Sequence, residues 1–414
     1  MKRILKKILL IDSKFKNYIY MLLMMDVVTF ITNYRGWVRS YNTTMLALSY
    51  EYGFTSRSLL GTLYHGLDKI IPVDMFQYNN AMIFANIITA VFVLYLVYFS
   101  YLCLNKNPEN VSGKTIMVQE YILLIFNIAV VATFTYAYNF LRVDFCMIWM
   151  TLLAFTALMN EKTRWLSLPF AALGVMFHQG YVLMYFNVIL IIQFYFWMTE
   201  KKKKNAILFF STFIIGSALF LWFELFSRTN GAEIYDTVLR EATNVSYNGI
   251  YHTTLLYHEV LGIDVSGAEI EFVYMNHVQL MIYLLIIAPV IIMLEKLFVN
   301  LVKQAEDLRE KLKYLAMGLG SLTIMPDLLL KIDYGRWIMS VEAYYLLVIL
   351  ASILLRDELM INAIEKIYDG IKKRPWILLY FTLVVLIVPY MDVDVDMIAK
   401  GLQRWTQNHG ILFY

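Results

Sequence analysis

Charge is scarce in this chain. Asp, Glu, Lys and Arg make up 16% of its 414 residues, whereas hydrophobic residues make up 60%. Soluble globular proteins carry about 25% charged residues, so this composition excludes that class. The formal net charge is +3, and the sequence has no basic folded domain of the kind that binds nucleic acid. A nucleic-acid partner is therefore not expected.

Cysteines and diagnostic motifs are also few. Cys103 and Cys146 fall near opposite ends of different predicted helices, which argues against a disulfide between them. There is no GxxxxGK[ST] loop, and no predicted cytoplasmic segment is long enough for a nucleotide-binding domain, which argues against an ATP-driven pump. Because no HExxH motif or similar ligand spacing occurs, we expect neither a metal nor another cofactor.

Long apolar runs are abundant instead. Their lengths of roughly 17–23 residues predict an all-α, polytopic integral membrane protein with about eleven transmembrane helices, forming a single domain over residues 1–414. The first run follows a basic head without a small-residue cleavage site, which is typical of a signal anchor. The predicted spans are 17–34, 81–104, 116–138, 145–159, 165–178, 181–198, 206–226, 279–298, 314–331, 337–355 and 376–391.

The basic residues are unequally distributed between the two sides of the predicted membrane. With a cytoplasmic N-terminus, most of the 35 Lys and Arg residues fall in cytoplasmic segments, although the external segments contain more residues. An excess of Lys and Arg in cytoplasmic loops sets membrane orientation. We therefore predict a cytoplasmic N-terminus and an external C-terminus.

Two long segments are predicted on the external side, at about residues 35–80 and 227–278. The first has apolar residues at helical spacing in its second half, and the second contains an amphipathic stretch at Ala232–Ala242. Amphipathic helices on one side of a bilayer lie in its interface. We expect these segments to roof an outward-facing cavity.

Four groups of polar and ionisable residues are predicted at the same external level. Ionisable residues at the ends of spans are costly to place, which makes them functional candidates. The candidates are Arg57 with His65 two turns later, Asn139 with Arg142 and Asp144, His178 with Gln179, and Asp333 with Tyr334 and Arg336.

These residue types fit an anionic, lipid-borne substrate. The planar guanidinium pairs with two phosphate oxygens at once, so Arg57, Arg142 and Arg336 are candidates to bind a pyrophosphate and stabilise it as it leaves. A general base is also needed to take the proton of an incoming hydroxyl. The candidates for this role are His178, Asp333 and Asp144.

Each candidate also has a structural interpretation. An ion pair explains Arg142 with Asp144 equally well, and interfacial anchoring explains Arg57. His178 is also suited to capping a helix end. Further acidic and histidine residues are interpreted as solvated surface rather than as metal ligands, namely His252, His258, Glu259, Asp392, Asp394 and Asp396.

The region from about residue 116 to 190 resembles the EpsG/Wzy-type membrane proteins that polymerise bacterial exopolysaccharide, capsule and O-antigen. Asn139-Phe-Leu-Arg142 stands where that family has Asn-x-x-Arg-Gln, and Val143 replaces the glutamine. His178-Gln-Gly-Tyr181 stands where the family has a His-x-Ser-type turn, without the serine.

The resemblance implies a glycan polymerase of the bacterial cytoplasmic (inner) membrane, with a fold related to the GT-C glycosyltransferases. Its substrates would be undecaprenyl-pyrophosphate-linked glycans at the outer leaflet. Its other partners would be membrane lipids and further components of glycan export. Carried over to this chain, Arg142 would contact the pyrophosphate and His178 would line the acceptor site.

Two alternatives remain open at this point. A GT-C glycosyltransferase that uses a polyprenyl-monophosphate sugar needs an acidic residue early in its first external loop, where Glu51 is available. A flippase or transporter of the lipid-linked glycan needs charges along a path through the membrane. Mid-span charges are few here, with Asp26 and Glu224 as examples, and no internal repeat is evident.

Overall fold

The computed structural model describes residues 14–34, 36–106, 111–135, 139–226, 231–262, 277–326 and 334–387, and the regular structure within these ranges is helical. The helices of the first half are α1 (Lys16–Asn33), α2 (Ser40–Thr44), α3 (Ser58–Asp68), α4 (Tyr78–Asn105), α5 (Gly113–Thr135), α6 (Asp144–Leu158), α7 (Ser167–Phe177), α8 (Tyr181–Met184) and α9 (Phe186–Glu200). Those of the second half are α10 (Lys203–Leu225), α11 (Ala232–Val245), α12 (Thr253–Glu259), α13 (His277–Gln304), α14 (Leu308–Leu319), α15 (Tyr334–Leu354), α16 (Glu358–Lys373) and α17 (Pro375–Ile387). Short 3₁₀ turns occupy Met45–Ala47, Arg164–Leu166, Tyr247–Gly249 and Gly320–Ile324.

The prediction of an all-helical membrane protein is confirmed. Among the described residues, α4, α5, α10, the Met281–Gln304 part of α13 and the Gly335–Leu354 part of α15 are long and apolar enough to cross a membrane. Helices are suited to this environment because they satisfy their backbone N–H and C=O groups internally. Four further helices, α6, α7, α9 and α17, are apolar but shorter. The prediction of about eleven spans is not confirmed: five helices of the described residues have the length and composition of a span. The predicted span 181–198 is divided between α8 and α9, and 314–331 begins in α14, which ends at Leu319.

The bundle is built around α5 and α15. Helix α5 packs against α1, α4, α15, α16 and α17. The apolar stretch of α15 is completely buried inside the protein, whereas that of α10 is mostly exposed. A helix that is apolar on all sides and surrounded by others belongs to the core, and one with an exposed apolar surface faces lipid. Helix α15 is therefore central and α10 peripheral.

The two long segments that were predicted to be external pack against each other at one end of the bundle. Helix α11 contacts α2 and the Met45–Ala47 turn, and α12 contacts α2. The hydroxyls of Thr43 and Ser246 lie 2.9 Å apart, and the backbone N–H of His252 donates to Thr44 Oγ1 at 3.0 Å. We call this region the predicted external end. The amphipathic helix predicted there is α11, which continues three residues further, to Val245.

The opposite, predicted cytoplasmic end is held by a buried polar cluster. Asp357 caps α16 by accepting from the N–H of Met360 at 3.0 Å, and it also accepts from Lys313 Nζ at 2.7 Å and Tyr314 Oη at 2.5 Å. A carboxylate at a helix N-terminus is favourable because it satisfies a free N–H. This cluster fixes α16, an amphipathic helix within the predicted cytoplasmic connection, against α14.

Candidate active site at the predicted external end

Arg57 and His178 meet between two turns that are far apart in sequence. Arg57 immediately precedes α3, and His178 follows the last residue of α7. Arg57 Nε donates to His178 Nε2 at 3.0 Å, and Arg57 Nη1 donates to Glu259 Oε1 at 2.8 Å. Beside them, Ser56 Oγ donates to Gln179 Oε1. We call Arg57, His178 and Glu259 the histidine centre.

The backbone at Arg57 is strained. Its φ angle is 66°, in the left-handed region that residues with a Cβ rarely adopt. Such a conformation costs about 1–3 kcal/mol and persists where the surrounding structure enforces it, often at functional sites. Here it aims the guanidinium away from the axis of α3 and towards His178.

The imidazole of His178 faces hydrogen-bond donors at both ring nitrogens. The N–H of Gly180 points at Nδ1 from 2.8 Å, while Arg57 holds Nε2. A neutral imidazole has one lone pair and one N–H, so the ring can accept from only one of these two donors at a time. The turn is close, because a Cβ at Gly180 would lie 3.0 Å from Nδ1.

Arg142 and Arg336 converge on one carboxylate. Asp144, the first residue of α6, lies 3.4 Å from Arg142 Nε through Oδ2 and forms a close ion pair with Arg336 Nη1 through Oδ1. The three side chains are 14%, 9% and 1% exposed for Arg142, Arg336 and Asp144. We call these residues the arginine centre. Leu141 beside it has a φ angle of 65°, so both centres contain a left-handed residue.

An aromatic and a second histidine border the arginine centre. The guanidinium carbon of Arg142 lies 5.3 Å from the ring centroid of Tyr41, which in turn contacts His252 edge-on at 5.1 Å. A cation over an aromatic face is favourable. Burial lowers the pKa of His252, and the guanidinium groups of Arg39 and Arg142 lower it further. The potential at this site is therefore positive, which favours an anion.

Helix α12 connects the two centres. It is capped by His252, whose Nδ1 accepts from the N–H of Leu255 at 3.2 Å, and it ends at Glu259 in the histidine centre. Seven helical residues rise by roughly 10 Å. Helix α12 therefore runs from His252, which contacts Tyr41 beside Arg142, to Glu259 at the histidine centre.

His65 lies in a different group from Arg57. Its Nε2 is 3.5 Å from Glu241 Oε2 on α11, and its Nδ1 is 3.9 Å from Glu51 Oε2. Tyr52 Oη donates to Glu241 Oε1 at 3.1 Å. Burial lowers the pKa of His65 and raises that of Glu241 to about 7, while the hydrogen bond from Tyr52 opposes the latter shift. This group joins the two external segments.

The predicted site residues are thus divided between separate groups. Arg142, Asn139, Asp144 and Arg336 are brought together, with Arg142 Nη1 to Asn139 Oδ1 at 3.5 Å. Asp333 lies outside the described residues, as do Asp392, Asp394 and Asp396, and of Tyr334 only the backbone position at the start of α15 is described.

Several residues at these centres were not predicted from the sequence. Glu259 was interpreted as surface, yet its side chain is 5% exposed and bound to Arg57. Tyr41 and Glu241 carried no motif. Glu51, on which the monophosphate alternative depends, is 45% exposed and paired with Lys69. The sequence gives only one indication of these residues, namely that they lie within the two segments predicted to be external.

The described residues contain no group of three His, Cys, Asp or Glu side chains arranged to hold a metal ion. Cys103 and Cys146 are both buried and free. The chemistry available at the predicted external end is that of guanidinium groups, imidazoles and carboxylates. Comparison of the chain with protein-family models, with curated proteins and with solved structures finds no match.

Proposed function

We propose that the chain is a membrane glycan polymerase with a GT-C-like fold, which joins polyprenyl-pyrophosphate-linked oligosaccharide units at the outer leaflet for a capsule, exopolysaccharide or O-antigen. The observation that carries this proposal is the meeting of Arg142 and Arg336 at Asp144. Two guanidinium groups from separate parts of the chain converge at the predicted external end, as binding of a diphosphate requires.

The donor pyrophosphate is assigned to the arginine centre. Its oxygens replace those of Asp144 as partners of the two guanidinium groups, which need little movement because they already point to one place. As the bond between the sugar C1 and the phosphate oxygen breaks, its electron pair passes to the pyrophosphate, and the guanidinium groups stabilise the developing charge.

The acceptor hydroxyl is assigned to the histidine centre. In this step the acceptor hydroxyl takes the place of Arg57 Nε at His178 Nε2, and the imidazole takes the hydroxyl proton while the hydroxyl oxygen forms the new bond to C1. Asp144 is not assigned this role, because it lies between Arg142 and Arg336, at the place assigned to the pyrophosphate. Arg57 positions the imidazole, and Glu259 positions Arg57.

The proposal is tested with the purified full-length chain and a lipid-linked oligosaccharide, with product length read on a gel. We expect Arg142→Ala and Arg336→Ala each to reduce chain elongation at least about 100-fold, as loss of a group that stabilises transition-state charge does. Unchanged elongation in both variants would remove the arginine centre from the reaction.

Arg164→Ala is the matched control. Arg164 is also a buried arginine, 10% exposed in its side chain, and it pairs with Glu200 at 3.0 Å and with Asn205 at 3.2 Å, next to the predicted cytoplasmic loop at Lys201–Lys204. Its loss removes a comparable ion pair without touching the external end. Equal loss of elongation in the control would attribute the effect to folding rather than to substrate binding.

A second candidate function, translocation of a lipid-linked glycan, is favoured by two buried carboxyl groups. Asp26 on α1 is 0% exposed and Glu342 on α15 is 3% exposed. Within the described residues neither carboxyl has a hydrogen-bond partner. Ionisable residues at such depth are often part of a proton or substrate path. A vesicle assay with fluorescent lipid-linked glycan separates transport, which Glu342→Gln would abolish, from chain growth.

A further inference from the structure

Two cavities adjoin at the predicted cytoplasmic end, between α13 and α16. The first has a volume of about 420 Å³ and contains the polar side chains of Lys296, Asn300, Gln304 and Lys366. The second has a volume of about 470 Å³. Both fall within the range of ligand pockets, about 300–1,000 Å³.

The second cavity is almost entirely apolar. Side chains from α5, α13, α15, α16 and α17 line it, for example Met117, Leu294, Leu346 and Phe381. Lys372 contributes a charge at its lining. The cavity thus offers an environment for a hydrocarbon chain rather than for water or a polar group.

The two cavities share a wall. Met293 and Leu297 of α13 and Ile367 of α16 line both of them. We call the first cavity the polar chamber after its four polar side chains, which stand in an otherwise apolar lining, and the second the apolar chamber. The two adjoining chambers match the two ends of an amphiphile. Neither chamber alone would accommodate both ends.

The lysines that line the polar chamber are not paired with the acidic residues of α16. Two of its acidic residues face the start of α5, where Glu365 accepts from Thr115 Oγ1 at 2.9 Å and Asp369 pairs with Lys114 at 2.7 Å. Lys296 and Lys366 are exposed, and within the described part of the chain neither forms an ion pair. The polar chamber therefore presents two unneutralised positive charges.

We propose that these chambers bind an anionic glycerophospholipid, with its phosphate between Lys296 and Lys366 and an acyl chain in the apolar chamber. Ammonium groups pair strongly with phosphate oxygens, and basic clusters next to the membrane attract anionic lipids of the cytoplasmic leaflet. The site lies at the end opposite the arginine and histidine centres and does not depend on the proposed function.

The proposal is tested on the purified full-length chain, with phosphatidylglycerol and phosphatidylcholine of identical acyl chains as probes and native mass spectrometry as the measurement of bound lipid. We expect the wild-type chain to prefer phosphatidylglycerol, and Lys296→Gln/Lys366→Gln to lose roughly tenfold or more of that binding, because each lysine near the membrane surface contributes to attraction of anionic lipid. Lack of a preference in the wild-type chain overturns the proposal without the need for any variant.

Two further variants separate the contributions of charge and cavity. Lys203→Gln/Lys311→Gln removes the same charge at the same end from exposed positions outside both chambers, and should leave the preference intact. Ile367→Trp fills the shared wall and should weaken binding of both lipids. Equal losses in the two lysine variants, or full binding by the Ile367→Trp chain, would contradict a built site.

Discussion

The carboxyl of Glu241 makes the contact between the two external segments dependent on pH. Its side chain is 16% exposed and lies between Tyr52 and His65. Burial raises its pKa from 4.5 to about 7. A carboxyl whose pKa is raised on folding stabilises the folded state fully below its unfolded pKa, and this stability is lost as the pH rises through the folded value.

The size of the effect follows from the two pKa values. At alkaline pH the penalty for ionising Glu241 approaches about 3 kcal/mol, and between pH 5.5 and pH 8 it changes by about 2 kcal/mol. Burial lowers the pKa of His65, so protonation of His65 acts in the opposite sense towards acid pH. Glu241→Gln should therefore be more resistant to opening than the wild-type chain at pH 8, with the difference diminishing towards pH 5.5.

Trypsin cleavage after Arg240 measures this opening directly, because proteolysis of a transiently open segment follows the population of the open form. A change of about 2 kcal/mol corresponds to roughly a 30-fold change in cleavage rate. An unfolded peptide of the same sequence corrects for the pH dependence of trypsin. Asp236→Asn, an exposed carboxyl on the same helix, is the matched control. A wild-type rate that runs parallel to that of Glu241→Gln across this pH range would refute the reasoning.

Two further outcomes are expected. The free energy of unfolding of Arg57→Gly should be about 1 kcal/mol higher than that of Arg57→Ala, because both variants lose the same contacts and only alanine keeps a Cβ at φ 66°. Equal stabilities of the two variants in chemical denaturation would show that the backbone at this position is not strained. Glu51→Gln should retain chain elongation with a pyrophosphate donor, since Glu51 is half exposed and bound to Lys69; abolished elongation would instead favour the monophosphate glycosyltransferase.

The fold class was predictable because apolar length alone specifies it. A run such as 81–104 has few alternatives to a membrane-crossing helix, and α4 occupies it. Amphipathic periodicity similarly identified α11. The grouping of the candidate residues at one end of the bundle was predictable for the same reason, because successive spans place alternate connections on opposite sides of the membrane.

The pairing of residues across that end was not predictable. Arg57 and Glu259 are 202 positions apart and Arg336 and Asp144 are 192 apart, and no local pattern specifies which arginine meets which carboxylate. Tertiary packing of α6 against its neighbours decides the pairing, and a single sequence does not encode such contacts in any periodic form.

Left-handed backbone at residues other than glycine occurs at both ends of the described bundle, at Arg57, Leu141 and Asn248 and also at Lys201 and Arg356. Glycine would occupy the left-handed backbone at Arg57 or Leu141 with little strain, whereas a residue with a Cβ costs about 1–3 kcal/mol. Proteins are only marginally stable, so such a cost is retained where the side chain or its direction is needed. Arg57, in this conformation, binds both His178 and Glu259. Under the proposed function, its backbone would serve to position the guanidinium at the histidine centre.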